Sequence, residues 1–491
     1  MSFSASRLLL LAVTSASLSG CLLRNHYDHS EEFRFSWKVG DLTGAAVQAA
    51  ELVENGPRRD KLLYLLEEGT TRRTGGDRAG SIRAFEGAER EYERWFGHHH
   101  KTSTRLSEEF VATIGSPEWK PYKTRVYERV MLWLYQALNY ADAGDFGRAR
   151  AKIFKTRQAV ADAKLIWQKE LQAARENMTR KGVNLDETMA APAAEDRHRT
   201  LLTEARRLVP ANLPDYVNPA ALYMEAVYFL RTAAEPADFD KAAFSLRQLL
   251  TVHPNNPWIL EDLAQAVKTS PDPTPVTYVF VETGRAAHRT EFRLEYPLSP
   301  SEFLPPGVVT MLMDPTSSIP YLGIALPRLR PADSHLEALR VEAEDLPADV
   351  ETLPLADLDA IIAKEFAKNF PVEVAKAITG ALAKAGVQYA VTDSLRDEDD
   401  TTRTVAGIGV GLWAHATTNA DLRHWYTLPK KVLFCKVPTP SKKRLTLRAV
   451  GRNLVREVEL PEGRTNVLWV RSVTPATPLR IVANFSLEPD L

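Results

Sequence analysis

Trp133 to Ile153 reads WLYQALNYADAGDFGRARAKI. Apolar and small side chains recur three and four apart on both sides of Ala143–Phe146, the spacing of amphipathic helices. Trp133, Ala137, Tyr140, Gly144, Phe146 and Ala149 fall where two antiparallel helices would touch, small residues letting the backbones approach and large ones filling the gap. The window predicts a helix, a tight turn at 143–146 and a second helix folded back on the first.

Sixty-eight residues earlier the pattern returns as GDRAGSIRAFEGA, with Gly76, Asp77, Ser81, Phe85 and Ala88 in corresponding places and Gly69 on the preceding helix. A third copy runs from Leu222 to Pro254, carrying Ala226, Phe229, Phe239 and Ala242, with extra residues around Glu235–Ala237. This spacing resembles the tetratricopeptide (TPR) repeat, whose period is 34 residues. Long interruptions separate the copies, among them a charged helix expected over Ala149–Arg180. The reading for residues 41–270 is an irregular TPR-like α-helical array. Such arrays expose a concave face, which binds a peptide or partner unless the array is only a spacer.

The run TSPDPTP, Thr269–Pro275, breaks helices because proline fixes φ and lacks a donor. Strand-like runs come next at VTYVFVETG, RTEFRLEYPL, IPYLGIAL and HLEALRVEA, and again after Lys431 at KVLFCKV, RLTLRAV, LVREVEL, NVLWVRSV and LRIVANFSL. Between these groups lies helical sequence, about 355–418, read as two helices split at Pro371 and a third over TVAGIGVGLWAHAT. The expected fold class is multidomain α + β: the helical array, then a β-sandwich-like domain over 276–491 with a helical insertion.

At the amino terminus Arg7, the apolar run Leu8–Val13 and small residues to Gly20 read as a secretory signal over 1–20, too short to span a bilayer. Leu18-Ser19-Gly20-Cys21 resembles the bacterial lipobox, in which the cysteine is acylated and becomes the new amino terminus. The resemblance implies lipidation at Cys21 and membrane attachment, with residues 21–40 as a disordered tether. Leu22 in place of an aspartate favours the outer membrane, facing the periplasm. With Cys21 committed to lipid, Cys435 has no disulfide partner and reads as a buried strand cysteine.

Removing residues 1–20 leaves 61 basic and 63 acidic side chains, a balance that argues against nucleic-acid binding. No cofactor or metal is expected. His98, His99 and His100 point different ways on a helix, RDEDD at Arg396–Asp400 lacks a calcium loop's spacing, and Gly407, Gly409 and Gly411 miss the dinucleotide fingerprint. DLRHWYTLPKK, Asp421–Lys431, holds Arg423, Trp425 and Tyr426, residue types enriched in binding hot spots and a candidate interface; because large aromatics are mostly buried, the favoured reading has Trp425 and Leu428 capping the core while Arg423 pairs locally.

The lipobox, the YERVMLWLYQALNYADAGDFGRARAKI segment, VTYVFVETGRA and ADLRHWYTLPKKV resemble a family of uncharacterised bacterial outer-membrane lipoproteins with a TPR-like helical half and a β-rich half. The resemblance implies no catalytic residues. The expectation is therefore a non-enzymatic, lipid-anchored scaffold that binds other envelope proteins. The alternatives are an enzyme, or activator of one, acting on peptidoglycan or another envelope polymer, and a self-associating structural component.

Overall fold

The computed structural model describes residues 26–96, 117–190, 192–270, 272–295, 323–332 and 334–487. Cys21 and His98–His100 lie outside them.

After one helical turn at His26–His29 come α1 (Glu31–Val39) and α2 (Leu42–Asn55). The expectation of a disordered tether is corrected here for residues 26–40. Phe33 and Trp37 on α1 lie four apart, so they share one face, and they pack with Leu42, Ala45, Ala49 and Val473.

The next helices are α3 (Lys61–Thr74), α4 (Arg78–Phe96), α5 (Val126–Asp142) and α6 (Phe146–Thr179). Two of the three turns the repeats mark are built alike. Gly76 and Gly144 hold φ of +87° and +78°, where a Cβ would be strained, and so end α3 and α5. An aspartate then caps the second helix of each pair: Asp77 accepts from the Gly80 N–H and Asp145 from the Arg148 N–H. Gly69 lets α4 approach, since a Cβ there would lie 2.4 Å from a Phe85 ring carbon. Ser81 donates to the Gly69 carbonyl and Asn139 donates to Ser81, joining α3, α4 and α5.

The helical half ends with α7 (Leu185–Ala190), α8 (Pro192–Arg206), α9 (Pro219–Arg231), α10 (Pro236–Val252) and α11 (Pro257–Val267). Ala88, Trp133, Ala137, Tyr140, Ala149, Ala226, Phe229 and Ala242 are buried, Phe146 packs partly buried, and Pro254 stands exposed in the turn after α10.

The strands are β1 (Val276–Thr283), β2 (His288–Glu295), β3 (Gly323–Arg330), β4 (Leu339–Glu342), β5 (Val350–Glu351) and β6 (Leu353–Asp357). Two helices, α12 (Leu358–Ser394) and α13 (Asp400–Thr417), separate them from β7 (Lys431–Pro438), β8 (Arg444–Ala449), β9 (Val455–Glu459), β10 (Thr465–Ser472) and β11 (Arg480–Ser486). They form a five-stranded sheet β11-β10-β1-β7-β6, a four-stranded sheet β5-β4-β8-β9 and the pair β2-β3. β1 runs parallel to β10 and antiparallel to β7.

Strand alternation sorts the five-stranded sheet into two faces. Val279, Val281, Leu433, Cys435, Leu468 and Val470 pack with Leu339, Leu445 and Leu447 of the four-stranded sheet. Tyr278, Phe280, Phe434 and Trp469 turn to the helices, in one cluster with Leu62, Tyr135, Tyr223 and Phe366. The boundary at 270–276 thus separates helix from strand without separating cores.

The expected break at Pro371 is corrected: α12 runs 37 residues with that proline inside. Phe370 and Val372 beside it are buried, and such packing offsets the one backbone bond that proline removes. The second half of α12 pairs with α13 through a small cluster of its own, Val391, Leu395, Ala406, Val410, Trp413 and Ala414.

Candidate functional site

Arg423, Trp425 and Tyr426 stand at the seam between the helical layer and the five-stranded sheet. Of the two readings the sequence offered, an interface or a core cap with Arg423 paired locally, burial favours the core cap for Arg423 and Trp425, each 1 % exposed. Arg423 grips Asp421 through Nε and Nη2 at 2.9 and 2.8 Å and reaches Asp60, just before α3, through Nη1 at 2.7 Å. Trp425 donates its backbone N–H to Glu128 and its indole N–H to Thr70, and packs edge-on against Phe85 and Tyr135. The backbone N–H groups of Tyr426 and Thr427, with the Thr427 hydroxyl, all donate to Glu67. Tyr426 is half-buried, its hydroxyl accepting from Arg285.

The electrostatics match a clamp. Burial opposes ionisation of Asp421, but the Arg423 charge and hydrogen bonds, with Arg125 and Arg289, hold its carboxyl well below the usual range. Burial pushes Glu67 up to about 8 in spite of its donors, and lowers His424 to about 3. The sequence reading marked the loop and missed its acceptors. Their signal was there: Glu67 and Glu128 sit inside the apolar helical runs KLLYLLEEG and VYERVMLWLY, where an acid demands a buried partner.

Among the described residues, two grooves stand out on the helical half. The larger, about 440 Å³, lies between α5, α6, α9 and α10 and is lined by Val130, Arg157, Val160, Ala221, Glu225 and Phe244 among others. Glu225 is 2 % exposed, accepts from the Ser245 hydroxyl at 2.9 Å and faces Arg157 at 3.4 Å. Burial pushes its carboxyl up to about 7 against both partners. Phe244 is 49 % exposed at the rim. Hydrocarbon walls with a few oriented polar groups are the usual make-up of a binding groove. The smaller, about 350 Å³, lies between α3 and α4 and is basic, with Lys61, Arg72, Arg83, Arg90 and Arg94 against Glu68 and Glu91.

Comparison with known protein families, with curated proteins and with solved structures finds no match. The chain's own geometry is what bears on function. Among the described residues no group of three or more His, Cys, Asp or Glu side chains is placed to hold a metal ion, and no helix is long and apolar enough to cross a membrane. Cys435 lies fully buried within β7, and burial pushes its thiol well above the ordinary value, away from thiolate chemistry. Three exposed apolar residues, Val405, Ile408 and Leu412, share one face of α13.

Proposed function

We propose that this protein is a lipid-anchored scaffold of the bacterial cell envelope, attached through Cys21, that holds a segment of a partner protein in the groove between α6, α9 and α10. The observation that carries the reading is that groove: about 440 Å³, largely apolar, with Phe244 half out of it and the buried Glu225, paired with a partly exposed Arg157, at its wall. We read the helix pairs as TPR-like, on the strength of the Gly69–Phe85 approach and the repeated glycine-aspartate turns, and the two stacked sheets as sandwich-like. A partner gripped there would be held in a fixed relation to the sheet, because the seam ties the helical layer to it by buried charge pairs. The lipobox-like tetrapeptide supports the anchor, and Leu22 after it supports an outer-membrane location.

Affinity purification from cross-linked envelopes tests this, comparing the native protein with Cys21→Ser and with Phe244→Glu. A partner set recovered with the native protein and lost with Phe244→Glu is expected, and Cys21→Ser should lose it as well by leaving the membrane. Recovery of the bait alone from native envelopes overturns the scaffold reading; a partner set indifferent to Phe244→Glu overturns the groove.

A further inference from the structure

The inner face of the five-stranded sheet carries a charged chamber that the proposed function does not use. β1 and β10 run in parallel register, placing Glu282 beside Arg471 and Phe280 beside Trp469. Alternation turns these four toward the helices, where Arg73 of α3, Tyr135 of α5 and Trp37 of α1 meet them. Arg73, Tyr135, Glu282, Trp469, Arg471 and Trp37 are each no more than 2 % exposed.

The groups gather without satisfying one another. Arg73 Nη1 lies 3.5 Å from Glu282 Oε1, and Arg471 Nε lies 4.0 Å from Oε2, at or past the limit of a direct hydrogen bond. The Arg73 guanidinium is 4.6 Å from the Tyr135 ring centre and 5.9 Å from that of Trp469; the Arg471 guanidinium is 5.9 Å from that of Trp37. Arg471 donates from Nη2 to the Thr427 carbonyl. Six buried donor atoms have no protein partner: Nε and Nη2 of Arg73, Nε and Nη1 of Arg471, and the indole nitrogens of Trp37 and Trp469; the Tyr135 hydroxyl turns toward Glu282. Against them stands one unpartnered acceptor, Oε1 of Glu282.

A buried donor left without an acceptor is destabilising, and an unpaired buried charge more so. Two guanidiniums face one carboxylate, so the chamber holds a surplus positive charge. Both the hydrogen-bond count and the charge ask for the same missing chemistry, an acceptor carrying about one negative charge. The enclosing side chains leave no exposed route for a large molecule. We propose that the chamber binds one small monovalent anion of halide size, with water, between Arg73 and Arg471. An anion there would neutralise the surplus charge and join α3 and α5 to β1 and β10.

The test uses the full chain in detergent, followed by thermal unfolding at constant ionic strength in sodium chloride, bromide or gluconate, the last too large for the chamber. The midpoint should rise with chloride and bromide but not gluconate, by roughly 1–2 °C per tenfold concentration above the dissociation constant. Glu282→Gln leaves two arginines without their carboxylate and should enlarge the halide-over-gluconate difference in midpoint at a given concentration, by tightening the site, whereas a purely structural ion triad would lose stability equally in all three salts. Arg471→Met should shrink that difference. Crystals grown in bromide should show anomalous density between Arg73 and Arg471. Midpoints independent of anion identity, or bromide-grown crystals with water alone in the chamber, overturn the proposal. The wild-type measurements decide the matter even if a variant fails to fold.

Discussion

Two stretches of the C-terminal half are built on opposite plans. The loop from Asp421 to Leu428 is rich in charge and aromatic polarity, yet it is driven into the seam between helices and sheet. The hairpin of α12 and α13 is rich in alanine, glycine and aliphatics, yet Val405, Ile408 and Leu412 face solvent at 64, 57 and 63 % exposure. The difference lies in partners. Most of the polar groups the loop buries meet a complement on another element: Arg423 meets Asp60, Trp425 meets Glu128 and Thr70, and Thr427 meets Glu67, while the His424 Nε2 is left without one. The hairpin's apolar residues outnumber those its small cluster can cover. Composition alone would have placed the two stretches the other way round, because it counts side chains and not complements.

The sharpest way to break this comparison is to remove the clamp's cation. Arg423→Met strands the buried Asp60 without its hydrogen-bonding cation and takes from the half-buried Asp421 its closest one, and should cost about 3–5 kcal/mol in denaturant unfolding. A loss below about 1 kcal/mol would mean that water replaces the arginine and the seam is not a clamp.

Glu67 supplies the next effect, and its sign comes from burial. Its native carboxyl is pushed up to about 8, whereas the unfolded chain releases that proton near 4.5. Between those values the unfolded state binds fewer protons, so Glu67 makes stability fall as pH rises through that window, approaching about 1.4 kcal/mol per pH unit. His424, held near 3 against 6.5 unfolded, acts oppositely from pH 6.5 downward. Glu67→Gln keeps an acceptor for the loop and should flatten the fall between pH 6.5 and 8, where His424 no longer contributes. An unchanged slope in urea titrations across that range would assign it elsewhere.

The hairpin should respond least. Ile408→Ser on its exposed face should change unfolding free energy by no more than about 0.5 kcal/mol. A loss of about 2 kcal/mol, particularly one that grows with protein concentration, would show that this face is covered by a second copy in solution and would erase half of the contrast.

The sequence by itself determined the features that depend on near neighbours. The period of α5, the glycine-aspartate turns at 76–77 and 144–145, the small residue at Gly69 and the alternation of β1 and β10 all arise from steric and hydrogen-bonding rules that act over a few residues. Those rules also give the helix-then-strand order and the helical insertion. What only the tertiary structure decided are the pairings over long separations. Arg423 meets Asp60 363 residues away, β10 lies parallel to β1 rather than beside its sequence neighbour β9, and α1 packs Phe33 and Trp37 with Val473 instead of trailing as a tether. In each case several partners of equal chemistry were available along the chain. Packing, which lets only one set be buried without leaving charges or donors unmatched, chose among them.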